Sequence, residues 1–280
     1  MTWRVRVRHR TGYSYDGAVG ASYNEARMTP LTDSNQTTLD SRVEISPLAG
    51  THRYRDYWGT EVTAFDIHTP HSELEVVATS VVETGLRPWT PGGLEWADLH
   101  SEPVRDQYAE WLASTARTDP DGTLAALAAE RLDAGSPTEV AISCLRMIGE
   151  HLEYVPGSTD VGTSAMQAWQ ERNGVCQDFA HISLAMLRSV GIPARYVSGY
   201  LHPNADALIG HTTVGESHAW VEWWDGDWVG YDPTNGKPMG EQHVLVARGR
   251  DYDDVAPLKG IYSGPKSSAL GVLVEVTRLA

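Results

Sequence analysis

From Cys176 to Val190 the chain is apolar on nearly every side of a helix. Phe179, Ala180, Ile182, Leu184, Ala185, Met186, Leu187 and Val190 leave no wide polar stripe. Asn173-Gly174 breaks the chain ahead of this run, and Gly191 and Pro193 end it. A helix without a wet face is stable only when other elements cover it all round. The run therefore predicts a buried central helix, with Cys176 in its first turn.

The segments before it change period once. Residues 1 to about 95 read as β-rich: "WRVRVRHRTGYSYDGAV" alternates and breaks at Asp16-Gly17. "TTLDSRVEISP", "HRYRDYWGTEVTAFDIHTP" and "ELEVVATSVVETG" follow. Short alternating runs split by Gly, Pro and Asp-Gly suggest a small sandwich or open barrel. The Pro- and Gly-containing "RPWTPGGLEW" marks the expected boundary between a region 1–95 and a core 96–280. Beyond it, "EPVRDQYAEWLAST", "GTLAALAAERLDA", "PTEVAISCLRMIGEHLEY" and "SAMQAWQER" are helical, the last with Thr163 or Ser164 as N-cap. In the third, Ala141, Leu145, Ile148 and Leu152 share an apolar face, and Cys144 lies close to it as a buried structural thiol. After the central helix, "ARYVSGYL", "SHAWVEWW", "WVGYDPTN", "HVLVARG" and "GVLVEVTRL" read as strands. The fold class expected is α+β, a β-sandwich-like region followed by a helix-on-sheet core.

Composition removes several functions. The formal net charge is −15, and an acidic chain repels phosphate backbones, so no nucleic acid partner is expected. The basic start, Arg4, Arg6, Arg8 and Arg10, alternates with Val5 and Val7 and reads as the wet face of a strand. No signal-peptide pattern and no run of about 18 apolar residues is found, so neither export nor a membrane span is expected. Two cysteines make no disulfide framework, and reduced thiols suit a cytoplasmic protein.

The chemistry centres on three residues. A thiol at a helix N-terminus meets the positive end of the macrodipole and free backbone N–H groups. Both favour thiolate, and the same N–H groups can hold an oxyanion formed beside the sulfur. Taken alone, the position suits a nucleophile and a packing cysteine equally. The hairpin after it tips the balance. If Asp225-Gly226-Asp227 forms a three-residue loop, Trp224 opposes Trp228 and Trp220 opposes Asp232. His218 is then the diagonal neighbour of Asp232, within reach of its carboxylate. A two-residue loop would separate them. The pair matches a base oriented by an acid.

"GVCQDFAH", "GIPARYVSGYL", "SHAWVEWW" and "GYDPTN", in this order, resemble the core of the transglutaminase-like superfamily in its bacterial branch, which carries a β-rich region ahead of the core. The resemblance covers most of the chain and is strongest from about 150 to 240. It implies a papain-like triad on Cys176, His218 and Asp232, no cofactor, and attack of the thiol on a carboxamide or peptide carbonyl of a peptide or protein substrate. The implied activity is acyl transfer through a thioester, hydrolytic (protease or amidase) or, with an amine acceptor, cross-linking. Gln170 and Tyr154 are equal candidates for a second oxyanion donor. Around the triad, His181 could reach the helix start but is expected to make a supporting or core hydrogen bond; Asp178 is expected to suit the helix dipole, and Arg195 to pair with a carboxylate. His202 and His211 flank a loop expected to wall the site. Two other classes stand against the enzyme. Zinc on Cys176, His218, Asp232 and His211 lacks close ligand pairs. A non-catalytic binding module would usually have lost one member of the triad.

Overall fold

The computed structural model describes residues 2–85, 93–215 and 217–280. The boundary expected in "RPWTPGGLEW" falls largely at 86–92, outside the described residues. The strands of the first part are β1 (Thr2–Val19), β2 (Ala21–Ala26), β3 (Gln36–Ser46), β4 (Thr51–Arg55), β5 (Glu61–Ile67) and β6 (His71–Gly85). Strict alternation sets β1: Trp3, Val5 and Val7 are buried, while Arg4, Arg8 and Arg10 stand outside and pair with Glu83, Glu275 and Glu75. Exposed pairs of this kind contribute about 0–1 kcal/mol each, so the buried valines and not the charges fix the register.

Four short helices follow, α1 (Trp96–Leu99), α2 (Glu102–Gln107), α3 (Ala109–Leu112) and α4 (Asp121–Ala129). The single helix expected over "EPVRDQYAEWLAST" is thus two. It breaks at Tyr108, whose φ of −112° leaves the helical range while its ring packs 4.5 Å from that of Trp224. Next come α5 (Pro137–His151), β7 (Glu153–Tyr154), α6 (Ala165–Glu171), β8 (Asn173–Gly174) and α7 (Cys176–Ser189). Ser136 caps α5 with a reciprocal bond to Glu139, and Ala141, Cys144, Leu145 and Ile148 are its buried face. Ser164, of the two candidates, caps α6.

The second half holds β9 (Ala194–Leu201), β10 (Thr212–Gly215), β11 (Ser217–Trp224), β12 (Trp228–Asp232), β13 (Lys237–Pro238), β14 (His243–Gly249), α8 (Tyr252–Val255), β15 (Leu258–Ser263) and β16 (Ser267–Arg278). They divide between two parts of the molecule. The core sheet runs β13-β12-β11-β9-β14, and the two N-terminal sheets run β10-β16-β1-β6-β3 and β15-β2-β5-β4. The last two strands therefore leave the core and complete the N-terminal sheets, β16 alongside β1 and β15 alongside β2.

The apolar face of the five-stranded N-terminal sheet has two covers. Leu74, Val76 and Ala78 pack with Met28, Phe65 and Ile67 of the second sheet and its flank. Trp3, Val5, Val7, Val82, Val274 and Val276 instead join the large core around α7. Every residue of α7 from Gln177 to Arg188 is buried. Helices α4, α5 and α6 lie against it, and Ala219, Val221 and Trp223 of the core sheet close the other side. Each large side chain buried this way contributes about 1.5–3 kcal/mol, which is why the run stays apolar all round. On the far face of the core sheet, Val197, Trp220 and Leu245 meet Leu31 from the β2–β3 connection. Gln36 fastens that connection: its amide donates to Leu31 O and Leu245 O at 2.6 and 2.7 Å and accepts from Leu245 N–H at 2.8 Å. Among the described residues no helix is long and apolar enough to cross a membrane.

Candidate active site

Helix α7 begins at Cys176 because of what surrounds it. Asp178 Oδ2 accepts from Val175 N–H at 2.8 Å and from Thr159 Oγ1–H at 2.6 Å, so the carboxylate folds back over the helix start. A side chain at Gly174 would meet Asp178 Cβ and Oδ2 at 2.8 Å, and only glycine leaves that space. The first intrahelical bonds run from Asp178 and Phe179 N–H to Val175 O. The N–H groups of Cys176 and Gln177 precede them and are left over at the helix end. Cys176 is half-buried, with Sγ 4.0 Å from the Ser217 carbonyl oxygen on β11.

The hairpin register is that of a three-residue turn. Trp224 opposes Trp228, Glu222 opposes Gly230, and Val221 opposes Tyr231. His218 Nε2 consequently lies 2.8 Å from Asp232 Oδ2. With Nε2 committed, Nδ1 is the ring nitrogen left to bond Cys176. Burial alone would pull the His218 pKa down, but hydrogen bonds to Asp232 and Cys176, and their charges, outweigh it and push it up to about 10. Asp232 is fully buried, which by itself would raise its pKa. Hydrogen bonds from His218, His243 and Asn235, with the His218 charge, hold the carboxyl well below the usual range.

Asp232 has a full set of donors. Thr234 and Asn235 N–H both reach Oδ1 at 3.1 Å, and Asn235 Nδ2–H reaches Oδ2 at 2.7 Å. With His218, the fifth donor is His243, whose Nε2 lies 3.3 Å from Oδ2. Sequence reading missed His243, because β14 is three places from β12 in the core sheet and nothing in local spacing links them. The ligand atoms of His218, Asp232 and His243 fall within 4.8 Å of one another, a closeness that these hydrogen bonds account for. His211, considered above with zinc, is exposed ahead of β10 and is not in this group.

The other expected residues fall into two sets. His181 is wholly buried and its Nε2 accepts from Tyr252 N–H at 3.2 Å; burial, then the charges of Arg117 and Arg188, lowers its pKa to about 3. It ties α8 to α7 and stays neutral. Arg195 pairs with Glu222 and lies 3.7 Å over the Trp228 ring, which meets the Trp224 ring edge-on within the hairpin. His202 is buried, with its ring against Trp3. Tyr154 pairs with Gly174 in the short β7–β8 ladder, two residues ahead of Cys176, whereas Gln170 is exposed on α6.

A half-buried thiol at the head of a buried helix, facing a histidine and aspartate on an adjoining hairpin, defines a papain-like arrangement on an α+β fold. The chain belongs to the transglutaminase-like superfamily: residues 5–83 match the bacterial transglutaminase-like N-terminal region, and residues 125–233 match the transglutaminase-like core. An uncharacterised protein of Mycobacterium leprae is 48% identical over 278 residues, 99% of this chain and 100% of the relative. A protein-glutamine gamma-glutamyltransferase of Pseudomonas aeruginosa is 41% identical over 69 residues, 22% of this chain and 10% of that protein. Among solved structures, a candidate cysteine protease from Cytophaga hutchinsonii superposes with a TM-score of 0.80 at 23% identity, covering 100% of this chain and 92% of that one.

Proposed function

We propose that the protein is a cysteine-dependent acyl-transfer enzyme that hydrolyses a peptide or carboxamide bond, with Cys176 as nucleophile, His218 as acid–base and Asp232 as its orienting acid. The observation that carries this reading is the chain of contacts from Cys176 through His218 to Asp232, with His218 at 2.8 Å from the carboxylate. His218 keeps its proton through neutral pH and supports a thiolate on Cys176. The thiolate attacks the carbonyl carbon, and the leftover N–H groups of the helix start receive the oxyanion. Collapse breaks the C–N bond. His218 gives its proton to the departing amine, leaving a thioester on Cys176. Water, deprotonated by His218, then releases the acid and restores the thiolate–imidazolium pair.

Hydrolysis needs only water, and nothing in the sequence marks a lysine-donor site for cross-linking. The match to a glutamine gamma-glutamyltransferase keeps amine transfer as the second reading. We place the protein in the cytoplasm, where two free thiols stay reduced. The test incubates wild type and Cys176→Ala with a mixed peptide library and a labelled primary amine, read by mass spectrometry. Cleavage or deamidation by wild type alone is the expected result, and incorporation of the amine would transfer the assignment to the second reading. If neither protein alters any peptide, a peptide substrate is ruled out.

A further inference from the structure

The carboxylate of Asp232 is shared by two imidazoles, and only one of them faces Cys176. His243 opens β14 with its side chain 2% exposed, and the edge of its ring meets Trp220 at 5.4 Å between centroids. Its Nε2 points at Asp232 Oδ2. Its Nδ1 is faced by Gly240, with N–H at 3.1 Å and C=O at 3.3 Å. The ionised Asp232 carboxylate can only accept, so a neutral ring facing it carries its proton on Nε2, and the bond left to Nδ1 is the one from Gly240 N–H. That makes Nδ1 an acceptor and leaves the ring proton on Nε2, aimed at Asp232.

We infer that His243 is a positioning residue for the proposed acyl transfer: a neutral Nε2–H donor, its tautomer set by the 239–243 turn, that fixes Asp232 Oδ2 for His218. The inference rests on the triad reading. Three groups bear on the ring. Asp232 on β12 favours a charge there, while His218 on β11 and Lys237 on β13 oppose it, and burial, the largest effect, keeps the ring neutral. Neutrality is what the site needs. A cationic neighbour would draw on the same carboxylate charge that holds the proton on His218. A water molecule in its place would be a donor of no fixed direction on the oxygen that His218 uses. A neutral, buried, tautomer-locked donor removes both difficulties.

The experiment uses the full chain as wild type, His243→Leu and His243→Gln, whose amide can present a donor where Nε2–H stood. Alkylation of Cys176 by iodoacetate is followed against pH, because the anionic reagent senses both the thiolate and the imidazolium. Ring 15N shifts are recorded on wild type. Wild type should show a bell-shaped profile and His243 in the neutral Nε2–H form at pH 7. His243→Leu should move the basic limb down by about one pH unit, from about 10 to about 9, with about twofold slower alkylation at pH 9 that approaches tenfold at about pH 11, and His243→Gln should restore most of it. A Leu profile superimposable on wild type overturns the inference. So does a His243 found as the Nδ1–H tautomer, a result that stands even if the Leu variant fails to fold. A wild-type Cys176 that alkylates like an ordinary free thiol, with no bell, overturns the triad reading itself and is told apart by needing no variant.

Discussion

Asp232→Asn removes one charge from the buried pair and keeps its shape. Folding raises the His218 pKa from 6.5 to about 10, so the stability His218 contributes is fully present below about pH 6.5 and is lost as pH rises through 10. Asp232 runs the other way. Its carboxyl is held low, so its contribution is present above about pH 4 and is lost only as pH falls. Both are complete between about pH 4 and 6.5. At about 1.4 kcal/mol per pH unit, the rise in His218 corresponds to about 5 kcal/mol of stability given up between pH 6.5 and full deprotonation. Asp232 and Cys176 share that rise, so the asparagine variant should retain about half of the pH dependence. Urea unfolding followed by tryptophan fluorescence at pH 6 and pH 10 measures it. Wild type should lose about 2–3 kcal/mol more between the two pH values than Asp232→Asn does. Parallel losses in the two proteins would refute the reasoning, because the His218 proton would then not depend on the Asp232 charge.

Two further outcomes follow from packing. A Cβ at Gly199 would stand 2.1 Å from the Val244 carbonyl oxygen and 2.5 Å from the Trp220 ring, on the strand position opposite His218. Gly199→Ala should therefore cost about 3 kcal/mol and slow Cys176 alkylation; a melting temperature equal to that of wild type would count against the close packing of β9 and β14. Burial pushes the Cys144 thiol up to about 11. Iodoacetamide on the native protein at pH 8 should label Cys176 and leave Cys144 untouched in a peptide-mass readout, and labelling of Cys144 without unfolding would refute its burial.

What could be read from the sequence was local or two-strand in range. The central helix follows from an apolar run with breakers at both ends, and the hairpin register follows from a turn of three residues. Together these bring Cys176, His218 and Asp232 within reach of one another. Arg195 meets Glu222 because the two oppose each other on neighbouring strands. The remainder depends on contacts that pattern does not encode. His243 comes to Asp232 through the stacking order of five strands, not through spacing along any one. The break at Tyr108 is set by the rings of Trp224 and Trp228, which reach it from the core hairpin. The same holds for β16, whose alternation announces a strand without naming β1 as its neighbour.

That last pairing has a consequence for how the protein is made. Among the described strands, β1 leaves the ribosome before the others and β16 after them. The segments around Cys176, His218, Asp232 and His243 are all synthesised earlier, yet Val274 and Val276 belong to the core that encloses α7. Until they arrive, one side of β1 is an open edge and the central helix lacks part of its cover. A nascent chain stalled before β16 would carry every residue of the site in an unsealed molecule exposed to chaperones and proteases. Loss of β16 would thus uncover part of the central helix without touching Cys176, His218 or Asp232.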